Sequence, residues 1–408
     1  MPSWRARSWV IFLTVLIDLI GFGIVLPILP YYAQTFGARG LGYGALVMIF
    51  SAMQFLATMV LGRLSDRIGR RPIILTTTLV NAAGYLLFAF AGSYWVLFLS
   101  RVISGFAGGN ISAAQAYMAD VTTPAERSRG MGMLGAAFGL GFTLGPGLGG
   151  LAAQLGGHMA PGLVAVVLSV ANFASAYFIL PESLKPDLRR HRPLFDLGHV
   201  GEVFGRPKVR PLMIVWLLAP FSFAAYTVAL PLFSGVAFGW KESQLTIFFV
   251  EVGLTAALVQ GVLFGRFARR FGERTLLIAG LGGMALAIGP VSFLPSGLAL
   301  YAWTLVLAVS NSLFSPAATG LVSVYADASE QGTVLGAAQA TAALGRMAGP
   351  LTGGLGFDRL GGTATFLGAG LIMLAGALVA MQLAPVSHAA PMVPLTEPMG
   401  DTSHSGPA

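Results

Sequence analysis

The sequence predicts an all-α polytopic membrane protein, with twelve transmembrane helices in two pseudosymmetric six-helix bundles. Three observations lead there. Of 408 residues, 55% are hydrophobic and 10% charged, with mean hydropathy +0.77; soluble domains carry about 25% charged residues. Apolar segments of about twenty residues, the length that crosses a bilayer, follow one another along the chain. The second half of the chain also repeats the first, a duplication that stacks two like bundles.

The segments run roughly over 9–30, 43–62, 73–91, 95–118, 129–154 and 160–180, then 211–234, 244–264, 275–294, 298–322, 333–354 and 361–383. Trp9 and Tyr31–Tyr32 flank the first, where aromatic residues mark membrane interfaces. That span is too long, and its flanks too poor in a small-residue cleavage site, for a secretory signal. The longest charged connection, PESLKPDLRRHRPLFDLGHVGEVFGRPKVR, separates six spans from six. The expected domains are therefore an N-terminal bundle at 1–180, a linker at 181–210, a C-terminal bundle at 211–384 and a tail at 385–408. The tail is rich in Pro, Ser and Thr, and disorder is expected there.

The net charge of +8 could suggest nucleic-acid binding, but the distribution of the charge opposes that reading. Of the 24 Lys and Arg residues, 19 lie on the side holding both termini, three (Arg39, Lys241, Arg359) on the other, and two within spans. Positive charge collects on the cytoplasmic side, so both termini are expected in the cytoplasm. With no cysteine, disulfides and thiol chemistry are excluded.

The repeat has an offset slightly over 200 residues. GRLSDRIGRRP from Gly62 matches GRFARRFGERT from Gly265; TLGPGLGG (143–150) matches MAGPLTGG (347–354); GFGIVLPILP (21–30) matches AAYTVALPLF (224–233). Duplicated halves with a cargo site between them suit alternating access. GRLSDRIGRRP resembles the loop signature between spans two and three of the major facilitator superfamily, and RVISGFAGG (101–109) resembles its span-four motif. The glycine-rich stretch 132–150 and the D-x-x-G-x-G of span one are similar to its drug:proton antiporter branch, of the tetracycline-efflux type. The resemblance covers nearly the whole chain. It implies a proton-coupled exporter of drugs or other hydrophobic or cationic small molecules, in the bacterial inner membrane, working as a monomer without cofactor.

Ionisable residues inside the spans are four: Asp18, Arg101, Glu251 and Arg346. An intramembrane charge costs roughly 2.5–3.5 kcal/mol on insertion scales, so such residues read as functional. Low dielectric favours the protonated carboxyl and a nearby guanidinium favours the ionised one. These four are the expected proton-coupling residues. Asp18 carries the proton or pairs with a cationic substrate, with Arg101 as the partner that tunes it, or the two form a static ion pair. Glu251 pairs with Arg346 as a brace, or serves as second proton site or attractor of cationic drugs. The equivalents of Asp18 and Arg101 in the other half are near Ser222 and Val309, so neither is demanded by the scaffold alone.

In the loop, Gly62, Asp66, Arg67, Gly69, Arg70 and Arg71 are the expected cytoplasmic latch. Asp66 can accept N–H bonds at a helix start or pair with Arg70, Arg127 or Arg129, and the resemblance implies closure between halves. Gly139, Gly145, Pro146, Gly149 and Gly150 are the expected hinge and helix interface, because small residues permit close approach and proline permits a bend. Gln54, Asn110, Gln115, Tyr226, Phe248, Asn311 and Gln339 are candidates to line the substrate cavity.

The tetracycline-efflux type implies further acids in spans three and nine and a His in span eight. This chain has none of these, which argues against a metal–tetracycline chelate as cargo. There is no GxxxxGKS/T phosphate loop, no metal-ligand cluster and no Ser–His–Asp arrangement, so no enzyme, cofactor or metal is expected. Two alternatives stand beside export: a facilitator or symporter of a small metabolite, and a non-transporting receptor or scaffold.

Overall fold

Without water in the hydrocarbon layer, each spanning segment must bond its own backbone, and helix is the one local way to do so. The computed structural model describes residues 4–123, 126–184, 202–326 and 330–384. Its spanning helices are α1 (Trp4–Val25), α2 (Gly40–Ile68), α3 (Arg70–Ala89), α4 (Tyr94–Val121), α5 (Arg127–Gly156) and α6 (Met159–Ile179), then α7 (Arg210–Phe238), α8 (Glu242–Phe271), α9 (Glu273–Phe293) and α10 (Gly297–Tyr325). The continuous segment Gln331–Met381 is too long for one crossing and breaks at Gly361, whose φ is 79°. It supplies α11 (331–360) and α12 (362–381), which makes twelve. Most of the expected linker and the whole tail lie outside the described residues.

The duplication is written into the backbone. Among the described residues the glycines with positive φ are 37, 69, 157, 239, 272 and 361. They pair as 37 with 239, 69 with 272 and 157 with 361, each closing the same turn in the two halves. The left-handed region excludes most other residues, so both copies keep glycine there. Helix starts match too. Ser93 Oγ accepts from the Val96 N–H and Ser296 Oγ from the Ala299 N–H, capping α4 and α10.

The two bundles meet along α2–α11 and α5–α8, on the side away from the termini. At Gly40 and Gly44 of α2 there is no room for a Cβ against the backbone of Gly354 and Pro350. Asp358 of α11 accepts the Gly40 and Leu41 N–H groups at 2.9 and 2.8 Å, an acid on the positive end of α2. His158 Nδ1 lies 3.4 Å from Glu242 Oε1, and the Tyr31 hydroxyl donates to the Trp240 carbonyl. Beneath these contacts Val228 and Leu232 of α7 are buried against Ile28, Leu29 and Tyr32 of the first half.

Toward the terminal side the bundles part. In α5 and α8, Gly150 packs on Thr246, Gly147 on Val250 and Gly253 on Thr143. Continuing that antiparallel register brings Gly135 opposite Gly261 and Gly132 opposite Gly265. At all four glycines the space a Cβ would occupy is open to 4 Å. The separation coincides with a π-helical turn in α8, Val259–Leu263, a feature that bends helices. The structure is closed on one side and open on the other.

Candidate functional site

Asp18 sits midway along α1, partly exposed, between α4 and α6. Asn110 Nδ2 donates to its Oδ2 at 2.7 Å and Asn172 Nδ2 to its Oδ1 at 3.0 Å. The same Asn172 amide donates to the Thr14 carbonyl at 3.0 Å. Asn110 closes a 3₁₀ turn, Gly108–Asn110, that interrupts α4. Its neighbour Gly109 touches the α2 backbone at Ala57 and Thr58, so glycine permits the approach that sets Asn110 at the level of Asp18. Two neutral amides hold the carboxylate.

Asp18 and Arg101 form no ion pair among the described residues. Arg101 is 2% exposed and stacks its guanidinium over the Phe88 ring at 5.0 Å, with Nε donating to Ser100 Oγ at 3.3 Å. Its Nη2 has no hydrogen-bond partner among the described residues. The reason is helical rise: nine residues separate Arg101 from Asn110, about 13 Å along α4. Tyr85 lies between the two levels, its hydroxyl packed against Gly21 one turn beyond Asp18.

The Glu251–Arg346 brace is likewise absent among the described residues. Helix α8 packs on α5 and α10 whereas α11 packs on α7 and α2, so the two side chains stand on helices that are not neighbours. Arg346 is exposed. Around α11 it falls between the stripe against α7 (Gly345, Gly349, Gly353) and the stripe that meets α2 (Pro350, Gly354), and it lies on the open side of that contact. Its position is the space between the bundles.

Two cavity candidates are corrected outright. Tyr226 and Phe248 are 1% and 3% exposed within the core of the second bundle and line no open surface. Gln54, at 3.4 Å from the Gly108 carbonyl, and Asn311 are partly exposed; Gln115 and Gln339 are exposed. In the glycine-rich helix, Gly145 and Gly149 pack on α1 at Gly23 and Ile24, and Gly150 is the one of the five expected residues that reaches the other bundle, at Thr246. Gly139 faces open space. Pro146 lies inside α5, its ring against Gly23.

Asp66, Arg70 and Arg71 of the 62–71 loop bind partners within their own half. Asp66 pairs with Arg70 at 2.5 Å, and Arg70 also reaches Asp120 at 3.2 Å and Ser65 Oγ at 2.6 Å. The side chains of Arg127 and Arg129 lie outside the described set. The helix-start role expected of Asp66 belongs to Glu182, whose carboxylate accepts the Arg70 and Arg71 N–H groups at 3.0 and 3.2 Å. Gly69, with φ 115°, leaves that carboxylate room where a Cβ would collide with it. Glu182→Ala should lower stability by about 1 kcal/mol, the worth of a helix cap, read as a lower melting temperature of the solubilised protein.

Asn172 and Glu182 were passed over in the sequence. Asn172 is the one Asn, Gln or charged residue in the helical stretch Met159–Ile179, and that was the available signal. Glu182 opens a charged linker and looks like solvated surface.

The Major Facilitator Superfamily family model matches residues 11–306 and 237–403. The chain is 32% identical to the class C tetracycline resistance protein of Escherichia coli, over 83% of this chain and 86% of that one. It is 30% identical to multidrug resistance protein 2 of Bacillus subtilis, over 89% and 91%. The crystal structure of the human organic anion transporter MFSD10 (TETRAN) superposes with TM-score 0.72 at 27% identity, covering 93% of this chain and all of the other. A twelve-helix duplicated fold, an acid in its first helix and these likenesses agree: the chain belongs to the major facilitator superfamily, a family of integral membrane transporters and not of enzymes.

Proposed function

We propose that this transporter is a proton-coupled antiporter, exporting drugs or other hydrophobic or cationic small molecules by alternating access. The observation that carries the reading is Asp18, a lone carboxylate at mid-helix with no cationic partner among the described residues, held by amide donors in α4 and α6. Without a guanidinium to lock it ionised, it can take up and release a proton as water access changes. Carrying one charge through 100 mV is worth about 2.3 kcal/mol, enough to drive uphill export. The tetracycline and multidrug resistance relatives support efflux, and the one-sided opening supports alternating access. The basic side is assigned to the cytoplasm of a bacterial inner membrane, so the structure is open inward. The working unit is a monomer, and the 62–71 loop meets the second half when the inner side closes.

A second reading concerns cargo charge. Arg346, exposed between the bundles, would receive an acidic group, and the human relative is named an organic anion transporter. Proteoliposomes with an imposed pH gradient, tested with cationic dyes, antibiotics and anionic dyes, decide between them. Gradient-driven movement of at least one cation is expected. Gradient-driven movement of anions alone, lost in Arg346→Gln, would establish the second reading. Solute flux that ignores the gradient would leave a facilitator.

A further inference from the structure

The two asparagines around Asp18 are not equivalent, and the difference assigns the proton to one oxygen. Asn172 is 1% exposed and its amide nitrogen serves two acceptors, the Thr14 carbonyl and Asp18 Oδ1. A main-chain carbonyl can only accept, so the nitrogen of Asn172 must face Thr14, and the same NH₂ group then faces Oδ1. A proton on Oδ1 would meet an N–H. Asn110 is partly exposed, and among the described residues Asp18 Oδ2 is the one partner of its side chain. Nothing fixes which end of its amide points at the carboxylate. Turned as it stands it donates to an ionised Oδ2; turned over, its carbonyl oxygen accepts from a protonated Oδ2. Access runs the same way, since the Asn172 side is sealed and the Asn110 side is not.

Resting on the reading of Asp18 as the proton carrier, we infer that the transported proton sits on Oδ2, with Asn172 the positioning residue that keeps Oδ1 an acceptor and Asn110 the amide that turns over. Few other groups act on this site. From α3 there is Tyr85, against Gly21, and from α4 Arg101, about 13 Å along the axis from Asn110. Helices α5 and α6 contribute no Asp, Glu, Lys or Arg between residues 130 and 179. The two amides therefore dominate the surroundings of the carboxylate.

Infrared titration of the purified full-length protein tests this, with the Asp18 carboxyl band assigned by its loss in Asp18→Asn. Asn172→Leu removes a donor that serves the carbonyl oxygen of the protonated acid and the charged form. The C=O stretch should rise in frequency, and the band should persist to a pH about one unit higher, the amount by which a hydrogen bond to the charged form exceeds one to the neutral acid. Asn110→Leu also removes a partner from both protonation states, so its midpoint should move in the same direction, but the C=O frequency should stay nearly fixed because the lost partner sits on the O–H oxygen. Asn172→Ser, with one donor where the amide has two, should give an intermediate shift and serves if the leucine variant does not fold. A frequency rise in Asn110→Leu and none in Asn172→Leu would place the proton on Oδ1 and overturn the assignment while leaving the carrier reading intact. The expected titration pattern without any pH-driven transport would overturn the carrier reading and leave the assignment. No titrating Asp18 band at all would end both.

Discussion

Asp18→Asn should abolish accumulation against a gradient while leaving downhill exchange in place. For one proton exchanged per neutral cargo, a difference of one pH unit supplies about 1.4 kcal/mol and sustains a roughly tenfold accumulation ratio. The variant should fall to a ratio of about one, because no proton can cross on residue 18. Asparagine nearly preserves the shape of the site: its oxygen still accepts from Asn172, and its nitrogen can donate to a turned-over Asn110. Proteoliposomes with a preset pH difference and a transported dye measure both quantities. Pumping that is lost in Asp18→Ala and retained in Asp18→Asn would contradict the proton-carrier role.

Gly354→Leu should prevent closure on the side away from the termini. A single Cβ at position 354 would already meet the Gly40 carbonyl, so a leucine must push α2 from α11 and pull Asp358 off the α2 N-terminus. Overpacking of this kind costs about 1–3 kcal/mol, which would move the conformational equilibrium by roughly 5- to 150-fold. The chain contains no cysteine, so Val228→Cys places a unique thiol at a fully buried position under the seal. A membrane-impermeant maleimide applied outside should react slowly with Val228→Cys alone and much faster with Gly354→Leu added, while transport drops toward background. Equal labelling of the two proteins would show that the α2–α11 approach does not govern access.

Much of the fold was legible because the bilayer imposes one length and one hydrophobicity on every span. Even the α11–α12 break was readable, with the eleventh segment expected to end at 354 and the twelfth to begin at 361, where the backbone turns over. The charge distribution implied neutralisation, and two ion pairs were expected from it. Neither formed, because pairing depends on level along the axis and on which helices are neighbours. Arg101 shares a helix with Asn110 but lies nine residues away, and Glu251 and Arg346 stand on helices that do not pack together. Asn172 illustrates the remaining gap. An asparagine among alanines, serines and a phenylalanine announces no partner, and its link to Asp18 spans 154 residues. Tyr226 and Phe248 failed for another reason: aromatic residues fill a bundle core as readily as they line a cavity.

The matched glycines of α5 and α8 have a mechanical corollary. Glycines lower the relief of both rods, facing Thr143, Thr246 and Val250 at the closed end and each other at the open one, so zipping one end while unzipping the other meets few interlocking teeth. Such a seesaw rests near balance, and a modest push at its pivot (one proton, one bound guest) can tip it. A bulky residue at position 135 or 261 would load one arm and hold the pore agape on that side, whatever happened at Asp18.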